Sequence, residues 1–151
     1  MTTEGNPVFV DTNVLVYANL TKSPFHLLAT ERLKALDEQG VGLWISRQVL
    51  REYLAAMTRR DVLTEAIPVL SLVEDVRYFS SRFQLAEDSS QVTERLLALM
   101  EQIPTGGRQV HDANIVATMQ AYGIRHLLTH NTDDFKRFSG LITLLPIGAS
   151  V

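Results

Sequence analysis

"PVFVDTNVLVYANL", residues 7–20, sets a run of apolar, mostly β-branched residues against an acid in its middle. Val8, Phe9 and Val10 follow one another without alternation, the pattern of a strand covered on both faces in a parallel sheet. Asp11 falls at the carboxyl end of that strand. Thr12 and Asn13 have the side chains that cap a helix, and "VLVYA" begins one. A carboxylate next to a buried strand costs several kcal/mol unless a cation or hydrogen bonds compensate it. Asp11 is therefore either the cap of the next helix or an acid kept for chemistry, and this run alone leaves both open.

The same succession of elements continues downstream. Ser23-Pro24 predicts a helix start, and "FHLLATERLKALDEQG" keeps helical spacing until Gly40. "VGLWIS" reads as a strand, and "RQVLREYLAAMTRR" after Ser46 as a helix. Residues 61–81 are mostly helical in pattern, bent or divided by Pro68. "SRFQLAED" predicts an extended crossing piece. "SSQVTERLLALMEQI" is an amphipathic helix stopped by "PTGG" at 104–107. "DANIVATMQAY" is a helix ending before Gly123, "IRHLLTHN" a strand, "TDDFKRF" a turn or short helix, and "LITLLP" a last strand closed by Pro146. Strands alternating with helices imply right-handed crossovers, a parallel sheet and helices on both of its faces, an α/β fold. Ligands of such sheets collect beyond the carboxyl ends of the strands, where Asp11 and the turn at 131–134 both fall.

Composition narrows the classes. With 151 residues, 46% of them hydrophobic, and a mean hydropathy of +0.05, the chain has the size of one domain, residues 1–151, with enough apolar material for a core. It has no cysteine, so it forms no disulfide and no thiolate metal site, and a reducing compartment is expected. No apolar run approaches the roughly 20 residues of a membrane helix, and no basic and apolar leader opens the chain; a soluble, cytoplasmic protein without membrane contact is expected. A net charge of −3 argues against a generally basic nucleic-acid binder, so an anionic substrate would need local cations.

Four acidic places sit awkwardly for a core. Besides Asp11, Glu52 lies at the edge of the stripe made by Val49, Tyr53, Ala56 and Met57, off the solvated face. Asp112 is the acid at the start of a helix that is apolar most of the way round, where capping would also explain it. "THNTDDF", residues 129–135, follows a strand and carries Asn131, Asp133 and Asp134, ordinary turn residues when taken singly. Acids gathered at one sheet end either take up protons or hold a cation. Hard oxygen ligands without Cys or clustered His favour Mg2+ or Mn2+ over Zn2+. The chemistry suggested is metal-dependent phosphoester hydrolysis by an activated water.

With these pieces in order, "VFVDTNVLVYA", "SRQVLREYLAAMTR" and above all "VHDANIVATMQAYGIRHLLTHNTDDFKRFSGLITLLP" resemble the PIN-domain ribonucleases, within them the VapC-type toxins of toxin-antitoxin pairs. The resemblance covers nearly the whole chain and implies a three-layer α/β/α fold with a mainly parallel sheet. It implies an endoribonuclease whose metal, Mg2+ or Mn2+, is held by Asp11, Glu52, Asp112 and Asp134. Many members carry Asp two positions after the threonine of the last turn, where this chain has Asn131; Asn131 and Asp134 are therefore assigned jointly to the fourth acidic place. Thr12, Asn13 and Thr129 are expected to orient the carboxylates. An RNA substrate, a cognate antitoxin whose C-terminal segment covers the acidic groove, and a homodimer are implied as well. An inactive protein-binding module and an RNA-processing nuclease outside a toxin pair are the alternatives.

Among the remaining candidates, His111 is assigned packing or hydrogen bonding rather than base catalysis. His26 and His126 have no ligand spacing, and His130 is placed near substrate. Arg59 with Arg60, Lys136 with Arg137, and Arg108 are the candidate phosphate contacts. An aspartyl-phosphate mechanism of the haloacid dehalogenase type needs a second Asp where Asn13 stands, and a receiver domain needs paired acids near its start, so both are disfavoured.

Overall fold

The apolar run at the head of the chain becomes the middle of the sheet. In the computed structural model, which describes residues 5–59 and 67–148, β1 (Val8–Val10) is buried at every position. It lies between β2 (Leu43–Ser46) and β4 (His126–Leu128), with β3 (Gln84–Ala86) and β5 (Thr143–Leu145) at the edges. All four pairings are parallel, in register Phe9 with Trp44 and with Leu127. Burial on both faces is what an unbroken apolar strand requires, and Phe9, Val10, Ile45, Leu127 and Leu128 are sealed from solvent. Each such side chain contributes about 1.5–3 kcal/mol by leaving water.

The described residues form α1 (Thr12–Ala18), α2 (His26–Glu38), α3 (Arg47–Met57), α4 (Val69–Arg82), α5 (Ser90–Gln102) and α6 (Gln109–Ala121), with a 3-10 helix over Thr132–Phe138. Strand order β3-β2-β1-β4-β5 means the chain steps outward from β1 to β3, then crosses back to β4. Right-handed crossovers then set α1–α4 on one face and α5 with α6 on the other. The packing agrees: α1 rests on α2 and α3, α3 on α4, and α5 on α6. This is the three-layer α/β/α arrangement the sequence implies. α6 is the most enclosed helix, burying Ala113, Ile115, Val116, Ala117 and Met119, as its near-continuous apolar surface predicts.

Local signals set most boundaries. Ser46 and Ser89 cap α3 and α5 by accepting from the amides of Val49 and Val92, each cap being worth about 1 kcal/mol. Gly40 and Gly123 adopt φ of +75° and +67° just past α2 and α6, a conformation that favours glycine and stops a helix. Other boundaries differ from the sequence expectation. α2 starts at His26 rather than at Ser23, because the Ser23 hydroxyl accepts from the Phe25 amide and closes a turn first. Pro68 bends nothing: it is the residue from which α4 departs, and the helical reading of 61–66 falls outside the described residues. The crossing piece 81–88 contains β3, paired along its length with β2.

Between β1 and β4 the chain's connections diverge, so a crevice opens beyond their carboxyl ends. Asp11 follows β1 there, and Thr129 follows β4.

Candidate active site

Asp11 is a helix cap, and its second oxygen is engaged elsewhere. It stands in extended conformation at the N-cap of α1, and its Oδ1 accepts from the Thr12 amide at 2.8 Å. Its Oδ2 accepts from the Thr129 hydroxyl at 2.8 Å and from Asn13 Nδ2 at 3.0 Å. Thr12 and Asn13, expected as caps, instead turn toward the acids. Thr12 Oγ1 donates to Glu52 Oε1 at 2.8 Å, and Asn13 Nδ2 also donates to Thr129 Oγ1 at 3.2 Å. Asn13 Oδ1 in turn accepts from the His130 amide at 3.0 Å, and Thr129 Oγ1 accepts from the Asn131 amide at 3.0 Å. The Thr129 hydroxyl thus uses its one donor and two acceptor places, all inside the fold. Backbone bonds from Asp11 to Leu128 and from Thr129 to Leu145 continue the ladder beneath this web.

Asp11 is 6% exposed. Burial pushes its carboxyl up to about 6 despite the three donors that favour its charge, and the neighbouring Glu52 adds to the rise. Asp112 is half-buried and also raised to about 6, first by desolvation and then by the charges of Asp11, Asp134 and Glu52, with Arg137 opposing. Carboxylates from the end of β1, from α3 and from the 3-10 helix therefore act together on the acid of α6. Asp112 does not open its helix, as the sequence suggests; α6 begins at Gln109 and Asp112 lies within its first turn, so capping does not explain it. Among the described residues, no three Asp, Glu or His side chains stand in an arrangement that would hold an ion as placed.

Glu52 has partners that the sequence did not announce. Gln48 Nε2 donates to Glu52 Oε2 at 2.9 Å and to the His111 carbonyl at 2.9 Å, and Gln48 Oε1 accepts from Asn114 Nδ2 at 2.8 Å. Gln48 and Asn114 are 66 residues apart. No spacing rule points to such a pair; only the meeting of the N-terminal turns of α3 and α6, from opposite faces of the sheet, does.

The last turn is more open. Asn131 and Asp134 are exposed, while Asp133 pairs with Lys136 at 2.8 Å in a fully solvated contact of little energetic worth. Lys136 is thus occupied by its neighbour, and Arg137, which donates to the Pro104 carbonyl at 3.4 Å, is the cation acting on Asp112. Arg108 is exposed at the start of α6, Arg59 follows α3, and Arg60 lies outside the described residues. His111 is exposed, so its ring does not pack as expected; its carbonyl is what engages Gln48. His130 packs against Phe25 at 4.2 Å and Tyr17 at 5.4 Å between ring centres. His26 meets the Tyr17 carbonyl at 3.0 Å, and His126 begins β4, at the far end of that strand from Thr129.

Known proteins resemble the chain in sequence and in fold. A ribonuclease of Mycobacterium tuberculosis named VapC48 is 28% identical over 137 residues, covering 87% of this chain and 91% of its own. A chain of the Rickettsia felis VapBC2 complex, solved with a promoter DNA fragment, superposes with a TM-score of 0.65 at 24% identity, over 92% of this chain and 97% of that one. Mycobacterium tuberculosis VapC20, described as a sarcin-ricin loop cleaving toxin, gives 0.65 at 18% identity, over 89% and 96%. The PIN domain family model matches residues 8–141, a span that takes in β1 with Asp11, the helices of Glu52 and Asp112, and the turn after β4. The chain belongs to the PIN domain family.

Proposed function

We propose that the chain is a divalent-metal-dependent endoribonuclease, the toxin of a type II toxin-antitoxin pair. The observation that carries this reading is the hydrogen-bond web that brings the acids at the end of β1 and on α3 to one sheet end, Asp11 held by Thr129 and Asn13 and Glu52 by Thr12, with Asp112 and Asp134 near enough to act on one another. Family membership and the names of the relatives support it. The donor set fits a hard divalent cation, being carboxylate oxygen throughout; Asp11, Glu52, Asp112 and Asp134 would hold Mg2+ or Mn2+, with Asn131 sharing the fourth place. Such an ion, when bound, offsets charge on a phosphodiester and makes a water more acidic.

The chain's own residues do the rest. Thr12, Asn13 and Thr129 hold the carboxylates in fixed directions. Arg137, acting across the crevice on Asp112, is the cation placed to meet a phosphate. Against a net charge of −3, RNA binding depends on such local contacts and weakens as salt rises.

The reading extends to the whole chain, residues 1–151, as one such domain, to a homodimer, to an antitoxin partner and to the cytoplasm. A toxin-antitoxin complex from Klebsiella pneumoniae of similar fold supports the partner, and no described helix is long and apolar enough to cross a membrane. The direct test is cleavage of a labelled RNA by purified protein with Mn2+ or Mg2+. Wild type is expected to cleave, and folded Asp11→Asn and Asp112→Asn variants are not; undiminished cleavage by both variants would overturn the site. Co-expression with the product of a reading frame immediately upstream is expected to suppress the activity. An active nuclease with no such frame would point to RNA processing outside a pair. Exposed Asn131, in the place of an acid, favours a second reading as an inactive binding module, for which the expected result is no cleavage with any divalent cation.

A further inference from the structure

Gln48 is placed to do more than decorate α3. A Gln four residues before a Glu forms an ordinary surface pair on many helices, but here the amide spends its remaining bonds on another helix. Its Nε2 reaches the His111 carbonyl and its Oε1 takes the Asn114 amide, so the two contacts bracket Asp112 on α6. The other Nε2 hydrogen goes to Glu52 Oε2, while Thr12 holds Oε1. Each oxygen of Glu52 thus has one donor, and a carboxylate offers about four acceptor places. The remaining places are left for a cation, in a direction the two donors fix.

We propose that Gln48, steadied by Asn114, is a positioning residue that sets the Glu52 carboxylate against Asp112 for divalent-cation binding. The assignment rests on the metal reading above. The two acceptors, Glu52 Oε2 and the His111 carbonyl, fix which way the amide faces, and Asn114 Nδ2 steadies it from the other side through Oε1. Without that contact Gln48 keeps its facing but loses one of its two ties to α6, so Glu52 is held less firmly.

Calorimetric titration of Mn2+ into the RNA-free protein tests this, using Gln48→Met and Asn114→Leu, which keep side-chain size. Gln48→Met is expected to weaken Mn2+ binding about tenfold or more, in the range seen when partners of metal ligands are lost, and Asn114→Leu by less. Because Asn114 acts through Gln48, the double variant should bind Mn2+ no more weakly than Gln48→Met alone. Melting of the metal-free variants reports fold integrity, and a purely structural role would lower melting while leaving affinity unchanged. Equal affinity in wild type and Gln48→Met, or losses that simply add in the double variant, would overturn the assignment. No Mn2+ binding by wild type would overturn the metal reading and the assignment together.

Discussion

At the Asp11 end of the crevice, both carboxylate oxygens of that acid are bonded, and its partners Asn13 and Thr129 are themselves tied to His130 and Asn131. At the 131–134 end, Asn131 and Asp134 stand exposed on a 3-10 helix, and the nearest side-chain pairing, Asp133 with Lys136, points into solvent. The first end is buried and arrives preformed. The second can move a carboxylate at small cost, since water already surrounds it. Substitutions should therefore be felt unequally along one site.

The largest effect is expected from Asp11→Asn, which should lower RNA cleavage on the order of 10³-fold or more, measured in single turnover with circular dichroism to verify the fold. A loss no greater than that of Asp134→Asn would erase the distinction between the two ends. Thr129→Val keeps shape but removes a donor to a buried charge, and should cost about 10- to 100-fold in cleavage together with about 1.5–3 kcal/mol of stability. Urea unfolding beside the cleavage assay checks both; a neutral Thr129→Val would mean that Asp11 needs no such support. Asp134→Asn, at the open end, should cost about tenfold in cleavage and leave the melting temperature of the metal-free protein where it was.

The smallest expected effect is on pH. Asp11 and Asp112 take up protons near pH 6 in the fold and near pH 4 when unfolded. The native state therefore binds more protons between those values, and metal-free stability should rise as pH falls from 7.5 toward 5. Asp112→Asn removes one of the two groups and should flatten that rise. Melting curves in chelator across this window decide the matter, and stability falling steadily below pH 7 would contradict the buried, repelled acids. Glu87, whose carboxyl is lowered by Arg47, acts with the opposite sign below its ordinary value and so outside the window.

How far the sequence revealed this depends on the range of each contact. β1 and α6 were legible because burial on both faces and an all-round apolar helix are written in neighbouring residues. α2 was placed too early because Ser23-Pro24 fits a turn as well as a helix start, and only the Phe25 amide decides. Asp112 was misread as a helix opener because "PTGG" marks the preceding stop without saying how soon the next helix begins. In the site, the acids could be named in order, yet the cap reading of Asp11 accounts for only one of its oxygens, since Oδ1 takes the Thr12 amide while Oδ2 is held by Thr129 and Asn13. Gln48 and Asn114 stayed hidden because an amide has no periodicity and their meeting depends on two helix starts from opposite faces of the sheet coming together.

The web around Asp11 also sets an order in time. Thr12 must wait for Glu52, 40 residues later, and Asp11 for Thr129, 118 residues later. During translation the first acid therefore leaves the ribosome long before the strand that holds it exists. A chain interrupted before β4 carries Asp11 with no hydroxyl from Thr129 to aim it, and under the proposed function the site would then not assemble beside the message still being read.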